Sequence, residues 1–235
     1  WEGTAEGGNG IEPGLIPGTE DQQAYIGFGG ITSPAGERIL NLYKPINYVP
    51  PAQGPSVVRF SVRMQIVPST NQVHDFFRWS VYNTDIRRLF SLDFDVNTGD
   101  ISYLLEGGTN YVFTGRSFDT LGFYDLEIWM DLGRNAWTAL LNGAVVVNSK
   151  PLALAGTKRD IGDIDAVWDK QSAAARDNDY MIFDDYRVSV VSVSSIPPRL
   201  EQLGVAPPDR AFLLRAYGQS GLNYAFEATA DFKSW

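Results

Sequence analysis

Between Val57 and Val67 the chain alternates apolar and polar residues without a break. Val58, Phe60, Val62, Met64 and Ile66 fall on one side, and Arg59, Ser61, Arg63 and Gln65 fall on the other. A period of two puts these sets on opposite faces of a β-strand and fits no helix, whose apolar stripe recurs every three to four residues. Shorter runs of the same kind occupy Tyr25–Gly29, Ile39–Tyr43, Asp75–Asn83, Arg88–Val96, Ile101–Leu105, Tyr111–Thr114, Tyr124–Leu132, Trp137–Leu141, Ala144–Asn148 and Tyr180–Val191. Turn chemistry separates them. Asn142-Gly143 takes positive φ at both central positions at low cost, which sets a type I′ hairpin between its flanking runs. Asn97-Thr98-Gly99-Asp100 joins the next best pair. Helical patterning is confined to Lys170–Arg176 and Arg199–Leu203, while residues 1–24 read as an irregular, Gly-rich lead-in. Many short strands with almost no helix predict an all-β, two-sheet antiparallel sandwich.

Hydrophobic residues make up 44% of the 235, enough to fill the space between two sheets, and the 13% aromatic content suits pleated surfaces. Ile196-Pro197-Pro198 marks a boundary, because Pro-Pro cannot continue a central strand and stiffens a linker. The expected division is therefore a sandwich over residues 1–195 and a linker with a short C-terminal β extension over 196–235. Strand-like runs at Arg210–Tyr217 and Tyr224–Thr229 mark that extension.

Several classes are excluded or disfavoured. A net charge of −9 repels phosphate backbones, so nucleic acid is not an expected partner. No apolar stretch approaches the ~20 residues of a membrane-spanning helix, so no membrane insertion is expected. The absence of Cys removes disulfides, thiolate metal sites and Cys nucleophiles. Trp rather than Met at position 1 fits removal of a leader by cleavage, and fits a segment boundary equally well.

The stretch Thr114–Val190 carries a set of linked motifs. These are Phe123-Tyr124-Asp125-Leu126-Glu127-Ile128, Trp137-Thr138-Ala139-Leu140-Leu141-Asn142-Gly143, Ile161-Gly162-Asp163-Ile164-Asp165-Ala166-Val167-Trp168 and Met181-Ile182-Phe183-Asp184-Asp185-Tyr186-Arg187-Val188. Together they resemble the concanavalin A-like (laminin G-like) jelly roll of lectins, binding modules, glycosidases and lyases. Residues 218–235, ending in Ala230-Asp231-Phe232-Lys233-Ser234-Trp235, resemble part of a small β module found at the C-terminal ends of large secreted bacterial proteins. The two resemblances imply a secreted or cell-surface protein whose partner is a glycan or polysaccharide, with a monomer favoured.

Four constellations could carry chemistry. Glycosidases of this fold carry paired acids on one strand, acting as acid and nucleophile. The nearest match here is Glu127-Ile128-Trp129-Met130-Asp131, with Glu127, Trp129 and Asp131 on one face but with Trp where that pattern has Asp. Gln72-Val73-His74 resembles a motif of alginate-lyase-type jelly rolls, where Gln and Arg neutralise a uronate carboxylate and His or Tyr removes the C5 proton. On an unbroken strand from His74, Arg78 and Tyr82 share its face, with Arg59 and Arg63 expected on a neighbouring strand facing the same way. Aromatic rings can also stack on sugars, and Trp79, Tyr82, Tyr103, Tyr111, Trp129 and Trp168 are the candidates. Finally, the resemblance implies a structural Ca²⁺ held by Asp184 with Glu20 or Asp21, oxygen ligands of the kind calcium takes. Asp160, Asp163, Asp165 and Asp169 read as a solvated acidic loop.

The reading favoured by these residues is a non-catalytic carbohydrate-binding or adhesion module with ligand contacts from Arg59, Arg63, Arg78, Tyr82, Glu127 and Trp129. A polysaccharide-active enzyme on an anionic glycan (His74, Tyr82, Arg78, Arg63) and a structural spacer are the alternatives.

Overall fold

The computed structural model describes residues 1–3, 9–27, 39–52, 55–70, 74–171, 179–191, 199–206 and 211–217. These divide into two compact units, Trp1–Val190 and Val191–Trp235. The first unit is a sandwich of two seven-stranded antiparallel sheets with no helix among the described residues. The first sheet runs, edge to edge, β1 (Glu2–Gly3), β4 (Ile39–Tyr48), β13 (Ile161–Asp169), β6 (Phe76–Tyr82), β7 (Arg88–Asp95), β8 (Asp100–Leu105) and β9 (Val112–Ser117). The second runs β12 (Ala144–Pro151), β11 (Ala136–Leu141), β10 (Phe123–Asp131), β5 (Val57–Val67), β14 (Tyr180–Val191), β3 (Gln22–Ile26) and β2 (Asn9–Pro13). The second unit contains the hairpin β15 (Arg199–Ala206) and β16 (Ala211–Tyr217), with a register shift between Gln202 and Gly204.

The alternation of Val57–Val67 sets the core. Val58, Phe60, Val62, Met64 and Ile66 are all buried and face the inner side chains of the other sheet. The Phe60 and Trp79 rings lie 5.0 Å apart, and the Trp79 indole N–H donates to Met64 Sδ at 3.3 Å. Phe90 stacks on Trp137 at 3.9 Å, joining the sheets near their other margin. Asn142 and Gly143 have φ of 47° and 76°, the left-handed pair the hairpin requires, and Leu141 faces Ala144 across the turn.

Three sequence expectations change. The expected lead-in supplies β1, β2 and most of β3, because a sheet edge needs few apolar residues. Arg199–Leu203 is extended in β15 rather than helical, with Arg199, Leu200, Glu201 and Gln202 paired to β16. The acidic stretch 160–169 is not a loop. From Ile161 onward it is β13, paired on both sides with β4 and β6, and only Asp160 lies outside the strand. Lys170–Arg176 lies largely outside the described residues, as does Tyr224–Thr229.

The β6–β7 turn holds a strained residue. Ile86 has φ of +61° and is 82% exposed. The left-handed region is unfavourable for a β-branched side chain, and this one buries nothing in return. The turn is fixed around it: Asn83 Oδ1 accepts from the Asp85 and Arg87 amides at 3.1 and 2.9 Å. Ile86→Asn is expected to stabilise the first unit by about 1 kcal/mol in denaturant titrations, since Asn tolerates this conformation. A loss of stability would show that Ile86 packs on something.

Candidate functional site

β5 and β6 lie in different sheets. Their apolar residues meet in the core, so their polar residues leave from opposite outsides of the sandwich. Arg59 and Arg63 stand on the outer face of the second sheet, and Arg78 and Tyr82 stand on that of the first. The expected convergence of Arg59 and Arg63 with His74, Arg78 and Tyr82 does not occur. His74 is also off the strand, which begins at Phe76. Its Nδ1 lies 3.3 Å from Oδ1 of buried Asp179, whose carboxylate also accepts the Ser69 amide and, at 2.5 Å, the Asp75 amide. Asp75 in turn accepts the Trp168 indole N–H at 2.7 Å. This histidine belongs to a staple that closes chain segments over one end of the sandwich. Gln72 lies outside the described residues.

On the second sheet's outer face, Trp129 opposes Arg59 across the β10–β5 ladder. Arg59 Nε and Nη2 each lie 3.2 Å from the Glu127 carboxylate, the Trp129 indole donates to the same carboxylate at 3.0 Å, and the guanidinium sits 5.3 Å from the Trp129 ring centroid. Arg63 lies over Phe123 at 5.5 Å. Glu127 is thus engaged by Arg59 and Trp129, while Asp131 accepts the Arg134 amide at 2.9 Å. These two acids do not form an acid–nucleophile couple.

The first sheet's outer face holds a denser network. Cross-strand register brings Arg78, Asp93 and Ser102 into one row, Ser80, Ser91 and Asp165 into a second, and Tyr82 beside Asp163. Arg78 donates through Nε to Asp93 at 3.0 Å and through Nη2 to Asp169 at 2.5 Å, and its guanidinium lies 5.3 Å from the Tyr111 ring centroid. Ser80 and Ser91 share a hydrogen bond of 2.7 Å. Burial pushes the Asp93 carboxyl up to about 6 even though Arg78 opposes the shift. Burial likewise pushes Tyr111 up to about 12. Phe113, 54% exposed, follows Tyr111 by two residues and stands opposite Ser102, so both rings border this face at its β9 margin.

Asp163 and Asp165 are neighbours along the same face of β13. Asp165 is 3% exposed and accepts from Asn41 Nδ2 at 2.7 Å. Oδ1 of each carboxyl is buried without a hydrogen-bond partner. Burial pushes Asp165 up to about 8, with Asp163 adding to the shift, and burial raises Asp163 as well. Two carboxyls this close cannot both ionise cheaply. Tyr82 is raised by burial and then by Asp165.

The sequence reading missed Asp93, Asp163, Asp165, Asp169 and Phe113 as parts of one face. The available signal was the alternation of Asp163, Asp165, Val167 and Asp169 with Ile164, Ala166 and Trp168. Of the proposed stacking residues, Trp79, Tyr103 and Trp168 are buried, whereas Tyr82, Tyr111 and Trp129 are at least partly accessible. Asp184 accepts the Asp185 amide at 2.7 Å, Asp21 accepts from Gln23 at 2.9 Å, and no group of three His, Cys, Asp or Glu among the described residues is placed to hold a metal.

No protein-family model and no curated protein matches the chain. Solved structures do. A cellulose-induced protein, Cip1, superposes with a TM-score of 0.52 at 12% identity, covering 82% of this chain and 92% of that one. A sialidase superposes with a TM-score of 0.51 at 9% identity, covering 80% of this chain. This chain spans only 17% of that sialidase's length. An alginate lyase, A1-II′, reaches 0.48 at 14% identity over 72% of this chain and 80% of that one. At such identities the likeness concerns the fold alone: the first unit is a two-sheet antiparallel jelly-roll sandwich.

Proposed function

We propose that this chain is a non-catalytic glycan-binding module of a secreted or cell-surface protein, and that its ligand lies on the outer face of the first sheet. The observation that carries the reading is the Arg78–Asp93–Asp169 network flanked by Tyr111 and Phe113. Sugar recognition combines apolar C–H faces, which stack on aromatic rings, with hydroxyl groups that need rigid donors and acceptors. Here the rings border the polar groups, and mutual hydrogen bonds fix those groups in place, so little side-chain entropy remains to be lost on binding. The names of two fold neighbours, a sialidase and a cellulose-induced protein, agree with a carbohydrate ligand.

The lyase alternative needs an uncommitted arginine for a carboxylate and a His–Tyr pair for the proton. Arg78 is committed to two carboxylates and His74 to Asp179, which favours binding over cleavage. A glycan array with parallel absorbance detection of unsaturated products tests both. The expected result is binding without product, weakened about tenfold or more by Tyr111→Ala, a loss of roughly 1.4 kcal/mol. Product formation would establish the lyase. Failure to bind any glycan would leave the spacer role.

A further inference from the structure

We infer that the outer face of the second sheet carries a separate strip for an extended acidic glycan, built around a guanidinium that rests on an aromatic ring and has no acid of its own. The strip follows β5 and β10. Phe123 and Trp129 mark its two ends, six residues apart on one face of β10, which is roughly 20 Å along a strand. Each ring carries an arginine of β5. Arg59 lies 5.3 Å from the Trp129 centroid, and Arg63 lies 5.5 Å from that of Phe123. The two arginines differ in their acids. Glu127 fills the fork of Arg59 through Nε and Nη2. Asp125 stands opposite Arg63 in the ladder, yet the Arg63 guanidinium makes no ion pair or hydrogen bond among the described residues. Arg63 and Asp125 are both exposed.

A guanidinium laid on a ring holds its five N–H donors in a fixed, weakly hydrated plane, which receives a carboxylate or sulfate by paired hydrogen bonds. Arg59 shows the filled form of this arrangement and Arg63 the open one. Asp125 beside it accepts from sugar hydroxyls. A strained apolar residue adjoins Phe123. Leu121 has φ of +74° and is 58% exposed; its amide donates to the Ile66 carbonyl at 2.9 Å, and its carbonyl accepts from Gln65 Nε2 at 2.6 Å. Strain that the surroundings enforce on an outward-pointing side chain is characteristic of a ligand clamp. The ligand is a sugar chain rather than an added peptide strand, because β5 lies between β10 and β14 and offers no free backbone edge. Rings and donor forks spaced along a flat face suit pyranose faces that bear oxyanions.

The test is calorimetric titration of the full chain carrying Tyr111→Ala, so that the first-sheet face contributes little. Uronate, sulfated and uncharged oligosaccharides long enough to span the strip are compared at equal length. At least one acidic series is expected to bind tenfold or more tightly than the uncharged one, with the ratio falling as salt is raised, and the order of the two acidic series names the oxyanion. Arg63→Gln, at an exposed position and checked by its melting profile, is expected to bring that ratio below threefold. Phe123→Ala is expected to weaken the acidic series severalfold. Equal binding of the uncharged series, or a preference that survives Arg63→Gln, overturns the inference. So does a lack of acidic binding when the parent chain binds arrayed glycans, and the first-sheet reading then stands. If Arg63→Gln abolishes all glycan binding by the parent while Tyr111→Ala changes nothing, the first-sheet reading falls and this one stands.

Discussion

Arg78→Met destabilises the first unit by about 3–5 kcal/mol at neutral pH, the expected cost of removing one partner from a buried ion network. The Met side chain fills the aliphatic part of the vacated volume, so the loss is electrostatic rather than a cavity effect. Asp93, 5% exposed, and Asp169 would remain beside each other without their shared cation. Protonation relieves that situation, and Asp93 already titrates near 6 with Arg78 present. Without Arg78, which lowers it, the Asp93 carboxyl rises further, so the deficit should shrink as the pH falls toward 6 and below. Addition of Asp93→Asn to Arg78→Met should recover part of it, because a neutral amide replaces the stranded charge. Urea titrations followed by tryptophan fluorescence check all three statements. A deficit under 1 kcal/mol that does not vary with pH would mean that water screens the network.

The second large effect is a fall in stability from about pH 5 to pH 9. Asp93 and Asp165 have folded-state values near 6 and 8, both raised by burial, while in the unfolded chain they titrate near 4. Between these limits the folded protein binds more protons than the unfolded chain, so the unfolding free energy declines as pH rises. The contribution is fully present below about pH 4 and is lost in two stages, through about 6 and then about 8. A tenfold gain in proton affinity on folding corresponds to about 1.4 kcal/mol, and water penetration reduces the whole to a few kcal/mol. Asp160 acts in the opposite direction: its carboxyl is lowered by the Thr84 and Lys158 hydrogen bonds, against the effect of its burial, so its contribution appears above pH 4. Asp165→Asn removes the later stage and gives Asp163 Oδ1 an amide donor. The variant should be more stable than the parent at pH 8.5 and flatter in profile above pH 6. Parallel profiles for the two proteins would show that the pair does not share a proton.

The fold was more legible in the sequence than the site was, for a physical reason. Alternation at Val57–Val67 assigns every residue to a face, and Asn142-Gly143 names its own turn, because both signals are local. Which sheet a strand joins is settled by partners far along the chain. Trp129 opposes Arg59 from 70 positions away, and β6 lies against β13 rather than β5. Arg59 and Arg78 therefore look equivalent in the sequence and emerge on opposite outsides. The aspartates of β13 concealed a central strand because Asp is disfavoured in sheets. They are accommodated by an amide from Asn41 and by raised proton affinity, neither of which local pattern reveals.

The placement of β13 between β4 and β6, and of β14 between β3 and β5, bears on how the chain acquires its structure. Both halves of the sandwich stay split down the middle until residues 161–191 have been synthesised. At about 5–20 residues per second, the earlier strands wait for seconds with bare hydrogen-bonding edges on either side of each gap. Closure then requires two late insertions of high sequence separation, a topology that folds slowly. A nascent chain halted before Ile161 should be held by chaperones or aggregate, whereas one released after Val191 should fold unaided.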